Sequence, residues 1–215
     1  MEPLEIYQKN VQDGVMNPDA EQMKAVLLLQ SLFESLLDSD RNETNLLARI
    51  FKKKRDKNLP KGLYLWGGVG RGKTFLMDLF FDSLPLKKKT RLHFHRFMMA
   101  VHLALSEFQG RPNPLKLVAE KFHREATVLC FDEFYVSDIG DAMLLDGLLQ
   151  EMFSIGMIFV ATSNVPPHRL YENGLQRAKF LPAIALIEKH THVHELAAGP
   201  DYRFRDLKSA GIYHY

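Results

Sequence analysis

The stretch Gly67-Gly68-Val69-Gly70-Arg71-Gly72-Lys73-Thr74 fits G-x-x-x-x-G-K-[ST] without a gap and limits this chain more than any other feature. Before it, Gly62-Leu63-Tyr64-Leu65-Trp66 reads as a short buried strand. After it, Lys73 to Leu84 has the apolar spacing of a helix. Four glycines let the backbone turn its N–H groups around a phosphate chain, and the helix N-terminus adds its dipole. Lys73 is placed to reach the β- and γ-phosphates and Thr74 to hold Mg²⁺ through its hydroxyl. The expected nucleotide-binding segment therefore runs from Gly67 to Phe75, and its ligand is a nucleoside triphosphate.

A second stretch matches the first. Thr127-Val128-Leu129-Cys130-Phe131-Asp132-Glu133-Phe134 is an apolar run ending in two carboxylates, as in a buried parallel strand whose C-terminal edge faces a ligand. Asp132 fits the Walker B role of holding Mg²⁺ with Thr74. Glu133, one residue on, is placed to polarise a water in line with the γ-phosphate. Met157 to Ala161 reads as the next strand, ending in Thr162-Ser163-Asn164. In P-loop ATPases with an extra strand between Walker A and Walker B, a polar residue at that tip senses the γ-phosphate, the role expected of Asn164. Five segments, 62–66, 91–97, 127–131, 157–161 and 192–196, then form a parallel α/β sheet in the order 5-1-4-3-2, with helices on both faces.

The first 60 residues read as a helical prelude. Asn17-Pro18-Asp19 starts a helix in which Met23, Val26, Leu27, Leu29, Leu32, Phe33, Leu36 and Leu37 recur at helical spacing. A second helix is expected from Asn45 to about Phe51. The run Lys52-Lys53-Lys54-Arg55-Asp56-Lys57 then reads as a solvated linker, with nucleic-acid contact the alternative. The core is expected from 61 to 215. Asp19-x-x-Gln22 has the spacing of a glutamine motif found ahead of Walker A in several nucleotide-driven motors. A glutamine amide donates and accepts, matching the adenine N6 and N7 edge, and Tyr7 could add a ring face. Alternatively, Gln22 is a polar position on an amphipathic helix. His93 and His95 alternate in a predicted strand, but no carboxylate or cysteine at ligand spacing supports zinc. Phe97 to Phe108 reads as helix, with Met98, Met99, Val101 and Leu105 in the core.

Bulk properties narrow the function classes. A formal charge of +2 does not by itself call for a polyanion partner. The single cysteine, Cys130, rules out an internal disulfide and fits a reducing compartment. No apolar run approaches the ~18 residues of a membrane span, and the acidic start lacks signal-peptide regions. The cytoplasm is the expected location.

Several local signatures together carry a family resemblance. Leu92-His93-Phe94-His95-Arg96-Phe97-Met98, Cys130-Phe131-Asp132-Glu133-Phe134, Ser137-Asp138-Ile139, Ala161-Thr162-Ser163-Asn164, Asn173-Gly174-Leu175-Gln176-Arg177 and Phe180-Leu181-Pro182 occur in this order. With Walker A, the combination resembles the ZapE-like branch of the AAA+ ATPases. The resemblance implies a Mg²⁺-dependent ATPase that assembles as a homo-oligomer on nucleotide binding and regulates or remodels a protein partner. The branch is linked to the tubulin-like division protein FtsZ, and its mitochondrial relatives to protein quality control. It also implies a trans-acting arginine at Arg177, with Arg169 the rival. From Arg177 only 38 residues remain (215 − 177), too few for a helical lid, so the chain reads as a portion holding the core. Two other classes stay open: a helicase-loader or initiator-like ATPase acting on nucleic acid, and a small nucleotide kinase. The sequence has no helix-turn-helix signature or strong basic face for the first. Glu133 and Asn164 favour water over a phosphate acceptor for the second.

Overall fold

Strand character alternates along β1, Gly62–Trp66, and so divides the core in two. Leu63 and Leu65 face one side with Tyr7, Ala25, Val26, Leu29, Leu76 and Phe80, while Tyr64 faces the other with Phe94, Phe131, Phe134 and Phe159. The computed structural model describes residues 1–44 and 59–197. Its other strands are β2, Lys89–His93; β3, Val128–Asp132; β4, Ile158–Ser163; and β5, Thr191–Glu195. They form one sheet in the order β2-β3-β4-β1-β5, and every pairing is parallel. This is the expected order, with β4 lying between the Walker A and Walker B strands.

Helices cover both faces. On one side lie α1, Pro3–Gln12; α2, Ala20–Thr44; and α3, Lys73–Ser83. On the other lie α4, Phe94–Glu107; α5, Pro114–Glu125; α6, Ile139–Ser154; and α7, Leu181–His190. The described part of the helical prelude shares the core of the sheet. Tyr7 of α1 and Ala25, Val26 and Leu29 of α2 are fully buried in the same cluster as Leu65 and Leu76.

Three sequence expectations need correction. The second strand starts earlier than expected and stops at His93, because Phe94, Phe97, Met98 and Val101 recur at i, i+3, i+4 and i+7 and bury a helical stripe. His95 therefore sits on α4 and His93 on β2. The same frame turns Met99 outward, 63% exposed, beside Leu103 one turn on. Tyr7 offers no free ring face: it is fully buried, and its hydroxyl donates to the Asp19 carbonyl and accepts from the Asp19 N–H, each at 3.2 Å. The expected helix from Asn45, the basic run 52–57 and the tail past Ala197 lie outside the described residues. Among the described residues no helix is long and apolar enough to cross a membrane.

The β1–β4 pairing depends on one glycine. A Cβ on Gly62 would lie 1.8 Å from the Phe159 carbonyl oxygen, inside the backbone of β4. Gly62→Ala is expected to force the strands apart and cost about 1–3 kcal/mol or more, as overpacking does. Urea unfolding against wild type measures it, and an unchanged midpoint would contradict the close approach.

Candidate nucleotide site

Parallel strands end at one edge of the sheet, and the connections leaving β1, β3 and β4 meet there. The loop after β1 is pinned on both sides: the Gly67 N–H donates to the Ser163 carbonyl at 3.2 Å, and the Leu196 N–H to the Trp66 carbonyl at 2.7 Å. It turns through Gly70 and Gly72 at φ +79° and +80°, which side chains rarely adopt, and Gly72 caps α3. The Lys73 ammonium donates to the carbonyls of Gly67 and Gly68, each at 2.7 Å, so it lies across the loop. Burial first, then the Arg71 charge, lowers its pKa below the usual lysine value, while Glu133 acts in the opposite sense. Gly68, Val69 and Thr74 are exposed, and Phe75 packs against the core beneath.

The prelude grips this loop from below. Gln22, 2% exposed, donates from Nε2 to the Arg71 carbonyl at 3.2 Å, and its buried Oε1 has no partner. The Arg71 guanidinium pairs with Asp19 at 3.5 Å, both side chains under a tenth exposed. A Cβ on Gly72 would lie 2.6 Å from the Gln22 amide nitrogen. Gln22, a polar position on α2, is thus turned inward beneath the loop rather than toward solvent.

On β3, Asp132 and Glu133 diverge. Asp132 is held by Arg91 of β2, which donates from Nε at 2.7 Å and Nη2 at 3.2 Å to its two oxygens. Arg91 also donates from Nη1 to Asp78 of α3. Burial alone would lower the Arg91 pKa, but hydrogen bonds and charge from Asp132 and Asp78 raise it above the ordinary value. Glu133 adopts φ +54°, a strained conformation for a side-chain residue, which swings its carboxylate into solvent at 80% exposure. Thr162 and Ser163 at the tip of β4 stitch this turn. Thr162 Oγ1 accepts from the Glu133 N–H at 3.3 Å, the Thr162 carbonyl accepts from the Phe134 N–H at 2.7 Å, and Ser163 Oγ donates to the Phe134 carbonyl at 2.8 Å. Glu133 and Asn164 then line one cleft of about 360 Å³ with His95, Phe134, Tyr135 and Ser137.

The two candidate arginines lie apart from that cleft's lining. Arg169 forms an exposed ion pair with Glu172 at 2.9 Å. Arg177 opens a 3₁₀ turn behind Gln176, at φ +58°, and donates from Nη2 to the His168 carbonyl at 2.6 Å. Its Nε is buried without a partner. Sequence reasoning missed Arg91, Asp78, Thr162 and Ser163 as members of the site. Arg91 was legible in principle: a buried strand-end carboxylate needs a counter-charge, and Arg91 alternates onto the same face of the strand as His93.

These residues fit a nucleotide and its metal. The loop presents backbone N–H groups and a lysine, a donor set for phosphates. The Thr74 hydroxyl and the Asp132 carboxylate are hard oxygen ligands of the kind Mg²⁺ takes.

The AFG1-like ATPase family model matches residues 1–215. The chain belongs to that family. It is 50% identical over 219 residues to the cell division protein ZapE of Escherichia coli K12, a match covering 98% of this chain and 58% of that protein. The chain thus spans just under three fifths of that relative. It is 42% identical over 167 residues to lactation elevated protein 1 homolog B of Danio rerio, covering 73% of this chain and 33% of that one. Among solved structures, DnaI superposes with a TM-score of 0.58 at 18% identity, over 87% of each chain. AMPPCP-bound DnaA from Aquifex aeolicus gives 0.56 at 12% identity, covering 91% of this chain and 52% of that one. These likenesses share the fold, that of the P-loop NTPases.

Gly72→Ala tests how tightly the loop is held. The side chain would strain the positive φ and push the Gln22 amide off the Arg71 carbonyl. Binding of a fluorescent nucleotide should weaken about tenfold or more, the factor for 1.4 kcal/mol, and the same strain should lower stability by about 1–3 kcal/mol. Wild-type affinity in this variant would show the loop indifferent to that contact.

Proposed function

We propose that this chain is the core of a Mg²⁺-dependent ATP hydrolase that works as a homo-oligomer and regulates or remodels a protein partner. The observation that carries the reading is convergence: the Lys73 loop, Asp132, Glu133 and Asn164 meet at the ends of three adjacent parallel strands. Residues 61–215 hold the ATPase core in this reading, and α1 and α2 of the segment 1–60 buttress it. Lys73 and the loop amides bind the phosphates. Thr74 and Asp132 would hold Mg²⁺, which would offset negative charge on the phosphates. Glu133 takes a proton from the attacking water, and Asn164 orients that water. The exposed Glu133 carboxylate suits a base that must reach bound substrate. Kinship with ZapE makes a cell-division protein, the tubulin-like FtsZ, the partner we favour, with the cytoplasm as the setting. Mitochondrial-type quality control is the alternative within the same family. Likeness to DnaI and DnaA concerns the fold and gives a nucleic-acid role no added support.

The direct test separates binding from chemistry. Glu133→Gln should keep ATP affinity but lose about 10²-fold or more in turnover, the usual worth of a general base. Lys73→Ala should weaken ATP binding by roughly 1.5–3 kcal/mol, as for a lost hydrogen bond to a charged group. Unimpaired hydrolysis in Glu133→Gln would remove it from the mechanism. ATPase rates with and without polymerised FtsZ test the partner.

Two further residues have separable roles. Gln22→Ala should weaken ATP and GTP equally if its bond to the phosphate loop is what matters, whereas a loss confined to ATP would assign it to the adenine edge. Arg177 is proposed to act across a subunit interface, neutralising charge on the γ-phosphate of a neighbour. Arg177→Ala should then bind nucleotide but lose about 10³–10⁵ in rate. Mixing it with Lys73→Ala should restore part of the activity, because a mixed interface joins one intact loop to one intact arginine. Loss of ATP binding in Arg177→Ala alone would place that side chain in its own subunit's site.

A further inference from the structure

The Walker B carboxylate already has a cation on it. Arg91 presents Nε and Nη2 to the two oxygens of Asp132 at 2.7 and 3.2 Å, the two-toothed geometry that a guanidinium makes and an ammonium does not. The remaining Nη1 is spent on Asp78, so the guanidinium bridges β3 to the helix that follows the phosphate loop. Arg91 and Asp132 are 19% and 15% exposed, which limits how far water screens the pair. The arginine belongs to neither sequence motif, and hydrolysis as described above gives it no task.

We propose that Arg91 occupies the Asp132 carboxylate so that the site takes its divalent cation only together with a nucleotide. The inference rests on the ATPase reading above. Without Arg91, Asp132 and Asp78 would lose the guanidinium that now joins them, and a bare dication would be drawn to Asp132. With Arg91 in place, both Asp132 oxygens are engaged, and an incoming dication meets a fixed positive charge beside its ligand. A nucleotide changes the balance, because its phosphates carry the metal in and supply most of the compensating charge. Asp132 then needs to give up only part of the fork, and Asp78 offers the released guanidinium a place to stay. Arg91 is in this sense a positioning residue: it acts through Asp132 and touches no substrate. The state it prevents is a metal held in advance of nucleotide, which would bias the loop toward a partly assembled site.

The experiment follows Mn²⁺ by electron paramagnetic resonance, where binding removes the sharp signal of the free ion. Wild type is expected to leave Mn²⁺ free without nucleotide; with ATP or ADP, which chelate Mn²⁺ themselves, it is expected to change the spectrum beyond that of the same nucleotide and Mn²⁺ without protein. Arg91→Gln should bind Mn²⁺ without nucleotide by about tenfold or more tighter than wild type, since a nearby like charge is gone. Adding Asp132→Asn to that variant should remove the gain. Three results would overturn the proposal: no gain in Arg91→Gln, a gain that survives Asp132→Asn, or nucleotide-free binding by wild type as tight as the variant's. Circular dichroism checks that each variant folds. Should Arg91→Gln not fold, Arg91→Lys decides the matter: it keeps the charge but cannot grip both oxygens, so a smaller gain is expected and none would overturn the idea. The nucleotide-free measurements do not depend on ATP binding. Failure of wild type to bind any nucleotide would instead sink the ATPase reading, a distinguishable outcome.

Discussion

The pairing of β4 between β1 and β3 is the constraint on which the site depends. It brings the backbone of Phe159 against Gly62, so the two strands meet without a side chain between them. The same strand ends in Thr162 and Ser163, whose hydroxyl and carbonyl groups hold the turn after Asp132, and Ser163 also accepts from the first loop glycine. One strand tip thus sets the distance between the phosphate loop and the carboxylates. The hydroxyl side chains at this tip are buried and bonded, which suits polar groups where strand ladders end.

The strained backbone at Glu133 follows from that stitching. A non-glycine residue at positive φ persists only where its surroundings over-determine it. Here the N–H groups of Glu133 and Phe134 are both tied to Thr162, leaving the chain one way to leave β3. The result sends Asp132 toward Arg91 and Glu133 the other way, toward the cleft it shares with Asn164. Two adjacent carboxylates therefore have unlike surroundings: one is fixed by a guanidinium, the other stands in solvent.

The prelude also changes character in three dimensions. A helical prelude followed by a charged run reads as an attachment, yet α1 and α2 complete one of the two cores and reach the phosphate loop through Asp19 and Gln22. A buried ion pair is weak evidence for stability, but it fixes orientation, and here it fixes the residue just ahead of Gly72 and Lys73.

Much of this was legible in the sequence. The glycine spacing before Lys73 defined a phosphate loop because few residues other than glycine tolerate the positive φ that Gly70 and Gly72 adopt. The apolar run ending in Asp132-Glu133 and the segment ending in Asn164 marked strands, and the P-loop ATPase pattern they fit supplied the sheet order. The sequence misled at His93-Phe94-His95, where alternation over a few residues imitates a strand and only the burial of Phe94, Phe97 and Val101 reveals the helix. It offered only a general demand for a counter-charge near Asp132, which did not single out Arg91, and it was silent on Thr162 and on the Arg71 carbonyl that Gln22 holds. Each of those contacts joins residues at least 29 positions apart. Local spacing determines which backbone conformations are available, whereas the partner of a charge or a hydroxyl is decided only when the sheet brings distant strands side by side.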